Sequence, residues 1–347
     1  MIELLAEVLT RAGKRVERWD SADGTSALVL EHGGRVIGLY APNVNHNLLW
    51  THPAFESASS TERFFRSTDW HNSGGQRTWL SPEKSFFLPN YPTTFEYYQP
   101  RQLDPGRYYL EMQREGIRLN VECVLDDLYS RSQIHVAIEK SIRGAADPLR
   151  HMSPHRANYA GITLCSQLKL LNPTNCVSRV SLWSLLQVPH GGELILPTIS
   201  KASAVVYFGD IAQEDVQIED HSVSYRMTAK GKQKLGFEAY SQTGRIGYIY
   251  QTGEGSHLVV VNCQVHPSLE YVDAPWRNPD APACAVQVCN VNCDLGVFSE
   301  LEYHSPALDP EKGRASCFDE SQIWTYSGEP KAIEEAAHLL LGCSYVH

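Results

Sequence analysis

The stretch 297–308, VFSELEYHSPAL, carries two carboxylates and an imidazole at alternate positions. On a β-strand successive side chains leave opposite faces, so Phe298, Glu300, Glu302 and His304 point one way and Leu301 and Tyr303 the other. Carboxylates and an imidazole on one wall are the groups that general acid–base chemistry uses. A strand with one face in water also carries charges, so spacing alone leaves a plain polar face open.

A second set lies in 74–83, GGQRTWLSPE. If this segment runs extended, Arg77, Trp79, Ser81 and Glu83 share a face, and a guanidinium, an indole and a carboxylate fall in one row. Gly74 and Gly75 allow a tight backbone turn just before it. The competing reading is a surface Arg77–Glu83 pair with Trp79 in the core. His71, in WHNSGG immediately upstream, is a candidate proton donor or hydroxyl ligand. Along 179–189 the odd positions put Trp183 and Gln187 on one face, with His190 in the turn that follows. In HLVVVNCQVHP the valines 259, 261 and 265 and Cys263 form an apolar face, and Asn262, Gln264 and His266 the other.

Residues 51–106, around the second set, break the strand rhythm and are rich in Trp, Phe, Tyr, Pro and Asn. Long irregular stretches inside compact domains often carry function. Aromatic and amide side chains together suit sugars, whose C–H faces stack on rings while their hydroxyls take paired hydrogen bonds. The sequence has no GxSxG elbow, P-loop, GxGxxG between strand and helix, or HExxH, which removes serine hydrolase, nucleotide-binding and zincin classes. Cys284, Cys289 and Cys293 lack the tight CxxC pairs of structural zinc sites and lie on a segment that alternates like a strand. They read as buried structural thiols, and no metal site is expected.

The elements that must position these groups are short and β-rich, bounded by Gly, Pro, Asn or Asp. At least ten strands with helices only at the ends predict an all-β fold, a large antiparallel β-sandwich. The N-terminal helix is expected over 1–13. The C-terminal one is expected over 330–342, where Ile333, Ala336, Ala337, Leu340 and Leu341 recur at helical spacing before Gly342. With no repeat, linker or break in charge pattern, 1–347 reads as a single domain.

Hydrophobic residues make up 42% of the chain and charged ones 20%, the balance of a soluble globular protein. A formal net charge of −10 argues against nucleic acid and anionic membranes as partners. No run approaches the roughly 18 apolar residues of a membrane span. The first residues lack the features of a signal peptide, and the nine scattered cysteines suggest reduced thiols, so a cytoplasmic protein is expected. The oligomeric state is left open.

Together these segments resemble the galactose mutarotase-like (aldose 1-epimerase) superfamily, and one of its bacterial branches in particular. GGRVIGLYAPNVNHNLLW looks like its early strand and GGQRTWLSPE like a branch-specific element. NPTN followed by WSLLQVPHGG looks like its central strands, and SELEYHSPAL like the strand bearing its catalytic glutamate. The resemblance covers nearly the whole chain and implies the supersandwich fold, a carbohydrate ligand and general acid–base catalysis. It makes Glu302 the base. The family's Thr-Asn-His motif reads Thr174-Asn175-Cys176 here, so the acid must come from elsewhere. His71, His190, His266 and His304 are the candidates, with His71 and His304 placed first. Arg77, Trp79, Glu83, Trp183, Gln187, His190, His266 and Glu300 are expected to bind the sugar. Proton transfer requires no cofactor, and none is expected. The implied activity is aldose 1-epimerase-like; the alternatives are a glycoside hydrolase or lyase with Glu83 as second carboxylate, or a non-catalytic sugar-binding or sensor protein.

Overall fold

Alternation of apolar and polar residues along nearly every segment builds two large antiparallel sheets whose apolar faces meet. A computed structural model describes residues 1–152, 156–173, 178–278 and 280–342. The first sheet has nine strands. In spatial order they are Val16–Asp20 (β1), Ser26–Leu30 (β2), Arg35–Tyr40 (β3), Gln76–Ser81 (β4), Ser181–Pro189 (β9), Gly296–His304 (β18), Val286–Cys293 (β17), Gly231–Phe237 (β14) and Ala204–Phe208 (β11). The second has ten. It runs Val216–Ile218 (β12), Ser222–Arg226 (β13), Glu193–Pro197 (β10), Arg245–Thr252 (β15), Gly255–Asn262 (β16), Ser316–Gly328 (β19), Asn158–Leu170 (β8), Ser132–Gly144 (β7), Gly116–Asp127 (β6) and Tyr109–Gln113 (β5). The expected all-β sandwich is what the chain forms.

Leu186, Val188, Val286, Val288, Leu301 and Tyr303 of the nine-stranded sheet pack against Leu119, Ile162, Leu164, Val259, Val261 and Ile323 of the other in one buried core. Because side chains alternate, the neighbours of the first group, among them Glu300, Glu302 and Cys289, face the other way. The terminal helices close the outside of the sandwich. Ile2–Arg11 (α1) buries Leu5, Val8 and Leu9 against Leu28, Leu30 and Ile37. Pro330–Leu341 (α4) lays Ile333, Ala336, Ala337 and Leu340 on Leu258, Val260, Trp324 and Tyr326, and Gly342 ends it in the left-handed region at φ 67°. No helix among the described residues is long and apolar enough to cross a membrane.

The stretch 51–106 is more ordered than its composition suggests. It contains the helices Ala58–Arg66 (α2) and Glu83–Phe86 (α3) as well as β4. Helix α2, ASSTERFFR, has a side-chain cap at Ser57 and an aromatic side, Phe64 and Phe65, that packs with Phe55 and α1. Gly74 and Gly75 make the turn into β4 at φ 95° and 71°. A Cβ at either would come within 2.4 Å of the Trp50 carbonyl oxygen or 2.1 Å of the Val36 carbonyl oxygen, so the close approach of strands here needs glycine.

Candidate functional site

Strand register brings the chemistry together. Arg77, Leu185 and Glu302 sit at paired positions across β4, β9 and β18, and Glu300, Cys289 and Lys234 across β18, β17 and β14. Above these rows, on the face turned away from the core, lies a cavity of about 560 Å³. Glu300 and Glu302 lie at its floor between the aromatic groups Trp79, Trp183, Tyr97 and Trp276.

Glu302 is 1% exposed. Its Oε2 accepts from Trp183 Nε1 at 2.8 Å and from Lys234 Nζ at 2.9 Å, while Oε1 has no partner. Burial pushes its pKa up to about 7; the Lys234 ammonium opposes the rise and the Glu300 carboxylate adds to it. Lys234 is buried too. Burial alone would discharge it, but Glu302, Glu83 and Asp273 outweigh burial and keep it a cation. It also lies 4.5 Å from the Trp183 ring centre, a cation–π contact.

Glu300 Oε1 accepts from Arg77 Nη2 at 2.8 Å and from Gln187 Nε2 at 2.9 Å. The Arg77 guanidinium stacks 4.2 Å from the Trp79 ring centre. Its Nε and Nη1 are buried without partners. Glu83 opens α3 at the end of β4 and lines the same cavity. Its backbone N–H donates to Asp273 Oδ1 at 2.6 Å, and its Oε2 accepts from Trp276 Nε1 at 3.2 Å. Burial raises its pKa, Lys234 opposes, and the Asp273 charge adds to the rise. Two buried carboxyl groups whose proton affinity is raised therefore share one cavity with a lysine between their fields.

The aromatic wall has its own anchor. Asp104, 2% exposed, accepts at Oδ2 from Arg35 Nη2 (2.8 Å), Trp79 Nε1 (3.1 Å) and Trp70 Nε1 (3.3 Å). Asp104→Ala strips a buried guanidinium of its counter-charge and two indoles of their acceptor. A loss of about 3–5 kcal/mol in chemical denaturation is expected, and a loss below 1 kcal/mol would contradict this role for Asp104.

Of the expected site residues, Glu302, Glu300, Arg77, Trp79, Glu83 and Trp183 all line the cavity. Gln187 lies beneath it as a donor to Glu300. The histidines do not line it. His304 is 1% exposed behind Trp183, its ring stacked at 5.6 Å and its Nδ1 3.1 Å from Ser81 Oγ. Burial holds its pKa down to about 4, against the pull of Asp273. His71 points toward α2, 3.1 Å from His32 Nε2 and between Phe64 and Phe65. His190 is half-buried in the turn after β9, and His266 is exposed beyond β16. Thr174-Asn175-Cys176 lies outside the described residues.

Lys234, Asp273, Trp276 and Tyr97 escaped the sequence reading. Lys232 and Lys234 alternate through KGKQKLGF, a strand pattern, but three lysines in five residues look like a solvated surface. Asp273 and Trp276 sit in an irregular segment with no period to read. Cys284 and Cys289 are buried free thiols, as expected, whereas Cys293, at the end of β17, is a free thiol only half-buried. The ligand atoms of Cys289, Glu300 and Glu302 lie within 4.8 Å of one another, the spacing of a metal site. The cations Lys234 and Arg77 already occupy both carboxylates, and burial, with Glu300 and Glu302, holds the Cys289 thiol protonated. The donor set therefore suits a metal ion poorly.

A model of the family of unknown function DUF6786 matches residues 61–346. The chain belongs to that family. No curated protein matches this DUF6786 chain. Among solved structures, it is similar to a candidate aldose 1-epimerase from Escherichia coli K12, with a TM-score of 0.54 at 12% identity, covering 90% of this chain and 100% of that one. It is also similar to a galactose mutarotase related enzyme from Lactobacillus acidophilus, with a TM-score of 0.49 at 6% identity over 91% and 98% of the two chains. At such identities the likeness is one of fold. The galactose mutarotase-like fold expected from the sequence is the fold of this DUF6786 protein.

Proposed function

We propose that this protein acts on a carbohydrate by general acid–base catalysis of the aldose 1-epimerase kind, with Glu302 as base and Glu83 as acid. The observation that carries this reading is the Glu302 carboxylate. One oxygen is pinned by two donors, the other is free, and the pKa of about 7 suits a group that must both take and return a proton near neutrality. In the proposed reaction Glu302 Oε1 takes the proton of the anomeric hydroxyl and the protonated Glu83 gives its proton to the ring oxygen. The bond from C1 to the ring oxygen breaks, and a carbonyl forms at C1. Rotation about C1–C2 and reclosure with both protons returned complete the change of anomer. Glu83 takes the place that His71 and His304 hold in the family-based expectation, because neither histidine lines the cavity. Arg77, Trp79 and Trp183 orient the ring, and Gln187 and Lys234 hold the two floor carboxylates in place.

The test is polarimetry and NMR exchange on a panel of neutral, acidic and keto monosaccharides. Glu83→Gln is expected to slow mutarotation by about 10²–10⁴-fold, and turnover equal to wild type would remove Glu83 from the reaction. The presence of two carboxyl groups in one cavity also supports a second reading, cleavage of a glycosidic bond by the same pair. New reducing ends from an oligosaccharide, lost in both Glu83→Gln and Glu302→Gln, would favour it over mutarotation.

A further inference from the structure

Outside the cavity, Tyr91, Pro92, Phe95, Trp276 and Arg277 enclose an open outer pocket of about 630 Å³. Phe95, Trp276 and Arg277 also line the cavity above Glu302, so the two spaces share a wall. That wall is aromatic. The Phe95 and Trp276 ring centres are 4.8 Å apart, and Tyr91 lies 6.3 Å from Phe95. Phe95 is 44% exposed, an apolar ring left in water at the mouth of a site. The Arg277 guanidinium lies 4.9 Å from the Trp276 ring centre and 5.4 Å from that of Phe95. Arg277 is exposed, as is Lys232 on the cavity side, and neither forms an ion pair with a carboxylate among the described residues.

We propose that this outer pocket is a second saccharide subsite, taking an anionic sugar unit linked to the ring held above Glu302. The proposal rests on the carbohydrate reading of the cavity. Two spaces lined in common by Phe95, Trp276 and Arg277 suit a ligand longer than one ring. Aromatic faces accept the C–H face of a sugar, and a guanidinium with free N–H groups pairs with a carboxylate or sulfate in two-pronged fashion. A chain of net charge −10 repels an acidic ligand at long range. Within the screening length, about 8 Å at physiological salt, Arg277 is the charged group among the residues that line the outer pocket.

The experiment is a titration, by calorimetry or saturation-transfer NMR, of the full chain with matched probes. These are glucose, galactose, glucuronate and galacturonate, the neutral disaccharides cellobiose and lactose, digalacturonate, and sulfated and unsulfated chondroitin disaccharides. At least one acidic disaccharide is expected to bind about tenfold or more tightly than its own monosaccharide unit. The carboxylated and sulfated arms tell the two sources of charge apart. Tyr91→Ala, which lies outside the inner cavity, removes that gain and leaves monosaccharide affinity unchanged. Arg277→Gln removes the preference for acidic over neutral disaccharides, and raising salt from about 0.05 to about 0.5 M erodes the same preference. Neutral disaccharides binding as tightly as acidic ones, or a gain that survives both substitutions, would overturn the subsite while leaving monosaccharide turnover to stand. A gain sensitive to both substitutions with no turnover of any sugar would keep the subsite and overturn the catalytic reading. Binding of no probe at all would overturn both.

Discussion

Glu302→Gln is expected, on the proposed mechanism, to lower turnover on every active sugar by about 10²–10⁴-fold and to leave sugar binding nearly unchanged. The amide keeps the shape of the carboxylate, and its oxygen can still accept from Trp183 and Lys234, so the floor of the cavity stays built. What disappears is an oxygen that can hold a proton. The pH profile carries a second, independent readout. Burial places the Glu302 pKa at about 7, so wild-type kcat/KM rises about tenfold per pH unit below that value, as the base ionises, and levels off above it. The rate falls again wherever the proposed acid Glu83, whose proton affinity burial raises, gives up its proton. A residual rate in Glu302→Gln should not show the limb near pH 7. Wild-type turnover in the variant, with that limb intact, would remove Glu302 from the chemistry.

Lys234→Met is expected to unfold the protein more easily, and more so at high pH. The substitution leaves two buried carboxyl groups, Glu302 and Glu83, without the cation that offsets them. Breaking such a pair from one side costs about 3–5 kcal/mol. The sign of the pH dependence follows from the direction of the shift. A carboxyl whose folded pKa stands above its unfolded value of 4.5 holds its proton longer when folded, so stability falls as pH rises from 4.5 through the folded pKa. In wild type that window closes near 7. Removing Lys234 takes away the force that lowers the Glu302 pKa, so the window extends upward and the ionised carboxylate becomes more costly within it. Denaturation at pH 5 and pH 8 should therefore show a small loss at the first and most of the 3–5 kcal/mol at the second, roughly. Equal losses at both would mean that Lys234 serves packing alone.

The alternation in VFSELEYHS was enough to place Glu300 and Glu302 on one face and Leu301 and Tyr303 on the core face, and the sheet bears this out. The same rule grouped Arg77 with Trp79 and Trp183 with Gln187, because period-two patterns survive folding whenever one face is buried. Alternation says nothing about depth, however. His304 shares the face of Glu302 yet is sealed behind Trp183, which the register pairs with it. His71 looked poised beside the paired glycines, but α2 draws it away into a cluster of phenylalanines. Lys234 was invisible for the opposite reason. A buried lysine and a surface lysine are spelled alike, and only the pairing of β14 with β17 brings it to Glu302. Asp104, Asp273 and Trp276 depend on contacts between segments far apart in the chain, which no local pattern encodes.

The floor of the cavity is made by strands and much of its outer rim by loops, and the two are free to change at different rates. Glu302, Glu300 and Lys234 are paired with neighbouring strands on both sides, and Arg77 with β9 on one. Tyr91, Phe95, Trp276 and Arg277 stand on irregular segments outside every strand. On the proposed mechanism, an insertion or exchange in those segments alters which molecule is admitted without shifting Glu302 and its partners. Under that proposal, relatives built on the same floor can differ in ligand while keeping one chemistry. Transplanting the rim segments between them is the direct route to a changed substrate range.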